Sequence, residues 1–138
     1  MPQIVALFMA MLVAVWGCAS EPGATFTASL RDESGQVVPV IVYDETATVE
    51  VVDSAPSDAT VSPGVANAPG APDVLVATWL GGTCDRRVNF DFTGDGRTYT
   101  LRGRTLRDSG CTLTGITRSI VLKLKSSVQA DSVTFIGP

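Results

Sequence analysis

The sequence predicts an all-β domain, an antiparallel β-sandwich or a partly closed barrel of about eight short strands, with one disulfide. Beyond Ser20 no long segment repeats its apolar residues with the period of a helix, whereas two-residue alternation recurs throughout. The alternating segments are rich in β-branched residues and are separated by turns of Gly, Pro, Asp and Ser. Two cysteines in the second half can pair.

The first half predicts strands at 26–30, 37–43 and 48–52. Pro39 lacks the backbone N–H that a central strand donates, so we expect its strand to lie at a sheet edge or to contain a bulge. Residues 54–73 hold four prolines among Ala, Ser, Gly and Asp. This composition predicts a long flexible loop, which could be a plain surface loop, a linker or a functional lid.

The second half predicts strands at 74–80, 88–93, 98–104, 118–125 and 133–135. Val88, Phe90 and Phe92 share one face of their strand, which indicates that this face is buried. The Thr-Gly-Asp-Gly sequence at 93–96 is typical of a hairpin turn. We therefore expect the second and third of these strands to pair directly.

Residues 1–17 have the features of a signal peptide, because the uncharged apolar run from 4 to 16 has 13 residues, fewer than the roughly 20 that span a bilayer. Val15-Trp16-Gly17-Cys18 resembles the lipobox of bacterial lipoproteins. The resemblance implies export and a lipid on Cys18 that anchors the chain to the bacterial cell membrane or outer membrane, facing away from the cytoplasm. Residues 18–23 would then be a tether and 24–138 the β domain. The alternatives are ordinary cleavage after a small residue and an uncleaved helix.

If Cys18 carries lipid, Cys84 and Cys111 remain as an even pair in an exported chain. Such a pair predicts one disulfide, because the compartments outside the cytosol are oxidising. The alternative is two free thiols in a cytosolic protein.

Composition excludes several classes of function. The chain has no histidine, so Ser-His-Asp and Cys-His catalysis and histidine-ligated zinc are unavailable. Its net charge of -4 argues against a nucleic-acid partner. No glycine-rich loop between a strand and a helix is present to bind phosphates. The adjacent acids Asp44 and Glu45 point apart, so we expect them in a solvated turn rather than as a catalytic pair.

The segment from Asp91 to Gly96 matches the first half of a calcium loop, with Asp91, Thr93, Asp95 and Gly96 at the required spacing. The match fails at position 12, where Arg102 stands in place of a glutamate. A hairpin tip explains the same residues better, and we expect no metal and no cofactor.

The segment 79–85, Trp-Leu-Gly-Gly-Thr-Cys-Asp, is similar to segments of small exported bacterial proteins, a resemblance that implies no activity. Gly81 and Gly82 permit a tight bend, and the Asp85 carboxylate can accept hydrogen bonds from amides of that turn. Trp79 is expected either to pack in the core or to stack against a sugar.

Four basic residues share the outward parity of their strands: Arg102, Arg104, Lys123 and Lys125. If the two strands are neighbours, these residues form a basic stripe for an anionic envelope polymer or lipid headgroups. Otherwise they belong to ordinary solvated faces.

The sequence therefore predicts a non-enzymatic lipoprotein of the cell envelope that presents a surface to a protein, a glycan or an anionic polymer. One alternative is an exported enzyme that uses carboxylates on envelope polysaccharide, which needs a cleft with two carboxylates. Another is a secreted inhibitor or partner of an exported protein, with 54–73 as the inserted loop.

Overall fold

Two β-sheets pack face to face in the computed structural model, which describes residues 23–31, 35–56, 58, 60–111 and 115–138. The predicted all-β sandwich is confirmed, and the sheets do not close into a barrel. The predicted signal peptide, residues 1–17, and the predicted lipidation site, Cys18, lie outside the described residues. The described residues contain no α-helix and nine strands, which are β1 Ala24–Arg31, β2 Val37–Asp44, β3 Val49–Ser54, β4 Gly64–Ala68, β5 Ala71–Gly81, β6 Asp85–Gly94, β7 Tyr99–Arg107, β8 Ile116–Leu124 and β9 Val133–Ile136.

The five-stranded sheet has the order β1-β2-β6-β7-β9, and the four-stranded sheet has the order β3-β8-β5-β4. Most neighbours are antiparallel, but β2 pairs with β6 and β7 pairs with β9 in parallel. Both parallel pairs are joined through strands of the opposite sheet, which is how a sandwich without helices supplies the long crossover that parallel strands need. The two parallel pairs are a departure from the purely antiparallel prediction.

The sequence predicted that the strand of Pro39 is an edge strand or contains a bulge, but β2 is an inner strand whose ladders show no bulge. The ladder between β2 and β6 begins at Val40, and at Pro39 the only paired neighbour is Ser29 of β1. The proline is therefore located where β2 has one partner strand, so its missing N–H does not interrupt the ladder to β6.

The segment 54–73 is not loop throughout, because it contains β4 and the first residues of β5. Gly70, with a φ of 71°, makes the turn between these two strands. Pro63 and Pro69 flank β4 without entering it. A short strand of small residues at a sheet edge tolerates this composition, which is why the proline content alone was misleading.

The core lies between the sheets and consists of the inward residues of nearly every strand. Trp79 is 2% exposed, and its ring makes an edge-to-face contact with Phe90 at 5.1 Å between centroids. Phe92 stacks on Tyr99 at 5.3 Å. The predicted burial of Val88, Phe90 and Phe92 on one face is confirmed.

One buried and one partly buried polar side chain hold two of the connections that cross between the sheets. Asp44, at the end of β2, is buried rather than solvated as expected. Its carboxylate accepts hydrogen bonds from the Thr46 and Val49 amides, both at 2.8 Å. Asn67 accepts from the Ala130 amide and donates to the Val128 carbonyl, also at 2.8 Å. These side chains supply the partners that the turning backbone lacks.

The predicted hairpin between β6 and β7 is confirmed, and Asp95 stabilises its tip. Hydrogen bonds from the Thr98 and Arg97 amides hold the pKa of the Asp95 carboxyl below its usual value of 3.8. The ionised form therefore stabilises the fold, and this contribution is lost as the pH falls through the lowered pKa.

We expect Asp95→Ala to lower the free energy of unfolding at neutral pH, and we expect its difference from the unmodified protein to shrink below about pH 4. Urea unfolding of both proteins between neutral pH and about pH 3 would measure this difference in stability. A difference that stays the same in acid would contradict the stabilising role of the ionised Asp95 carboxylate.

Candidate functional site

Cys84 and Cys111 form the predicted disulfide, with their α-carbons 6.0 Å apart. Cys84 lies between β5 and β6, and Cys111 lies between β7 and β8. Both connections cross from one sheet to the other. The disulfide therefore joins two crossovers at one end of the sandwich.

Asp85, next to this disulfide, is the centre of a buried polar network. Its carboxylate accepts a hydrogen bond from the Gly82 amide at 2.8 Å, which confirms the predicted bond to the turn. Arg107 binds the same carboxylate at 2.8 Å, and the Arg118 Nε lies 3.7 Å away. A β-carbon on Gly81 would lie 2.6 Å from the Asp85 carboxylate, so this position requires glycine. The network links strands of both sheets and supports the fold.

Arg118 is 2% exposed and was not predicted to be buried. It shares the parity of Ile120 and Leu122, so a cation on an apolar face was the signal in the sequence. Arg118 also lines a pocket of about 340 Å³ beside β1 and the end of β3. Because its guanidinium is held by Asp85 and by the Gly82 carbonyl, at 3.1 Å, we assign Arg118 to the network.

The four predicted basic residues do not form one stripe. Arg102 and Arg104 lie on β7 in the five-stranded sheet, whereas Lys123 lies on β8 in the four-stranded sheet and Lys125 directly follows it. All four are exposed, but on the outward faces of opposite sheets. Trp79 is enclosed between the sheets and presents no ring to a ligand.

The outward face of the five-stranded sheet holds the candidate site. Tyr43 of β2, Asp91 of β6 and Arg102 of β7 lie side by side in register across three strands. Asn89 and Arg104 form the next row. We call these five residues, together with Glu45 at the end of β2, the Tyr43 face.

The Tyr43 face contains a shallow hollow of about 610 Å³. Its lining residues are Gly23, Tyr43, Glu45 and Asp91. Tyr43 is 37% exposed, and Glu45 is exposed beside it. The hollow therefore offers one accessible aromatic ring and two carboxylates.

Donors and acceptors are mixed on the Tyr43 face. The Arg104 Nη2 donates to the Asp91 Oδ2 at 3.0 Å, and the Arg104 side chain is 74% exposed. The Asn89 Oδ1 is buried, and no donor among the described residues reaches it, so it is not accessible to a ligand on this face. The accessible donors are therefore the exposed guanidinium groups of Arg102 and Arg104.

Tyr43 was missed as a site residue. It lay within a predicted strand, with parity opposite to that of Val40 and Val42, and this outward parity was the available signal. The more conspicuous aromatic residue, Trp79, proved to be core.

Within the described ranges, no three acidic or cysteine side chains are grouped as a metal site would require. The same part of the chain has no helix with the length and apolar character needed to cross a membrane. Comparison with known proteins found no matching family model, no matching curated protein and no matching solved structure.

Proposed function

We propose that the protein is an exported, lipid-anchored binding module of the bacterial cell envelope that acts without catalysis. The disulfide between Cys84 and Cys111 supports export, because such bonds persist outside the reducing cytosol. This disulfide also accounts for both cysteines that remain once Cys18 is assigned to the lipid. The lipobox-like sequence supplies the anchor, and the Tyr43 face supplies the binding surface.

The anchor would hold the Tyr43 face close to the membrane. The tether from 18 to 23 spans at most about 20 Å when fully extended. It ends at Gly23, which lines the hollow beside Tyr43 and donates its amide to the Asp44 carbonyl at 3.1 Å. The ligand in this proposal is therefore an envelope component near the membrane surface.

Lipidation has a direct test. We expect cells that express the protein to incorporate labelled palmitate into it, and the Cys18→Ser variant to incorporate none. The intact mass of the mature chain should fit cleavage before Cys18 plus the acyl groups, and it should rise by two hydrogens on reduction.

The Cys84→Ser, Cys111→Ser double variant is the matched control, since it removes two cysteines and should keep the label. Unlabelled protein that retains Met1 and a free Cys18 thiol would contradict the proposal.

An enzyme acting on envelope polysaccharide is the second candidate, because Glu45 and Asp91 line the same hollow. A carboxylate mechanism needs two such groups around the scissile bond. Binding fits the geometry better, since the hollow is shallow and Asp91 is already engaged by Arg104. Release of reducing ends from an oligosaccharide, abolished by Glu45→Gln, would favour the enzyme.

A further inference from the structure

We propose that the Tyr43 face binds an uncharged glycan, with a sugar ring stacked on Tyr43. This inference rests on the proposed role as a binding module, but not on the lipid. The occupant is argued from the aromatic ring, from the balance of charge and from the shape of the face.

Tyr43 supplies an accessible aromatic platform. Its ring is partly exposed on the outward face of an inner strand, so the backbone beneath it is paired on both sides. The apolar face of a sugar ring can stack on such a side chain while its hydroxyl groups stay at the edge. Because the platform is built on paired strands, little ordering is needed on binding.

The charges on the Tyr43 face cancel. Glu45 and Asp91 contribute two carboxylates, and Arg102 and Arg104 contribute two guanidinium groups. These four charged groups therefore balance around the hollow, whereas two further arginines of the same outward face, Arg31 and Arg87, lie toward the opposite end of β1 and β6. Sugar hydroxyls both donate and accept hydrogen bonds, so they match a surface on which carboxylate acceptors alternate with guanidinium donors.

The register places these groups in a line. Tyr43, Asp91 and Arg102 occupy adjacent strands, so their row extends about 10 Å across the sheet. If one sugar unit stacks on Tyr43, the next sugar unit of the same glycan would lie over Asp91 and Arg102. The open hollow suits a polymer that extends past the site rather than a small molecule that must be enclosed.

The experiment uses the full mature chain, purified in detergent, and isothermal titration with uncharged tetrasaccharides of glucose, N-acetylglucosamine and mannose. We expect saturable binding of at least one of them. Tyr43→Ala should weaken it about tenfold or more, and Tyr43→Phe should retain most of it because the ring remains. Asp91→Asn should also weaken binding.

Lys123→Ala, on the outward face of the opposite sheet, is the matched control and should bind as the unmodified protein does. Near-ultraviolet circular dichroism of the buried Trp79 would verify that each variant is folded. No binding of any uncharged probe, or binding that Tyr43→Ala leaves unchanged, would overturn the inference. Binding of polyphosphate that Arg102→Ala and Arg104→Ala abolish would also overturn it, in favour of a polyanion.

The glycan inference and the anchor are separable by outcome. Sugar binding by a chain that carries no lipid would reject the anchor and retain the glycan. A lipidated chain that binds no uncharged sugar would retain the anchor and reject the glycan. Hydrolysis of the bound sugar would reject the non-catalytic role while keeping the ligand class.

Discussion

Replacing Asp85 with alanine is expected to lower the free energy of unfolding by about 3–5 kcal/mol. The carboxylate is fully buried and is approached by two guanidinium groups, those of Arg107 and Arg118. Without it, Arg118 keeps its charge inside the protein but loses this carboxylate, and the Gly82 amide loses its acceptor. Both effects leave buried polar groups less well satisfied, and this is the costly direction in which to break a buried pair.

Urea unfolding followed by Trp79 fluorescence would measure the effect, because this ring is buried in the folded state. Asp108→Ala is the matched control, since Asp108 pairs with Arg86 at an exposed site and should change stability by less than about 1 kcal/mol. Equal losses of stability in the Asp85→Ala and Asp108→Ala variants would show that burial does not determine how much the Asp85 ion pairs contribute to stability.

The strands were predictable from the sequence because alternation is a local property. Val88, Phe90 and Phe92 had to share a face, and a sandwich buries that face whatever the order of its strands. The hairpin around Asp95 was predictable for the same reason, since its turn chemistry lies within four residues. The disulfide was predicted from the number of cysteines and from the expected export of the chain rather than from distance in space.

The candidate site was less predictable because it depends on which strands become neighbours. Arg102 and Lys123 have the same outward parity, yet they belong to different sheets. Tyr43 and Asp91 are distant in the sequence, and a parallel pairing that alternation does not encode brings them together. A pattern along one strand indicates which side chains face solvent but not what lies beside them.

Asp44 shows a second limit of prediction from sequence. An acidic residue beside a turn is usually solvated, and this one is buried because it accepts the hydrogen bonds of a crossover. Asp85, the first residue of β6, likewise accepts a hydrogen bond from the amide of a crossover residue, Gly82. In the sequence, such a residue is an acid at the first or last position of a strand whose apolar residues alternate. It can be recognised as buried only when the path of the crossover is known.

Removing the disulfide is expected to have a similarly large effect. Cys84 and Cys111 are 27 residues apart, so the bond restricts the unfolded chain and should contribute about 3–4 kcal/mol. We expect the Cys84→Ser, Cys111→Ser double variant to unfold at correspondingly lower urea concentration. Reduction of the unmodified protein should reproduce the loss, whereas Cys18→Ser should leave stability unchanged. A double variant as stable as the disulfide-bonded protein would contradict this contribution.

The disulfide and the Asp85 network meet where the short connection 82–84 joins β6, so combining the two changes separates two physical roles. If the disulfide acts only on the unfolded chain, its loss and that of Asp85 should add to within about 0.5 kcal/mol. The disulfide could also hold Asp85 against Arg107 and Arg118. In that case Asp85→Ala should lower stability less in the disulfide-free variant than in the unmodified protein, because loss of the disulfide has already loosened the network. We expect the second outcome, since Cys84 adjoins Asp85 and its carbonyl accepts the Asp108 amide at 3.2 Å. Strict additivity in the double-mutant cycle would restrict the disulfide to its effect on the unfolded state.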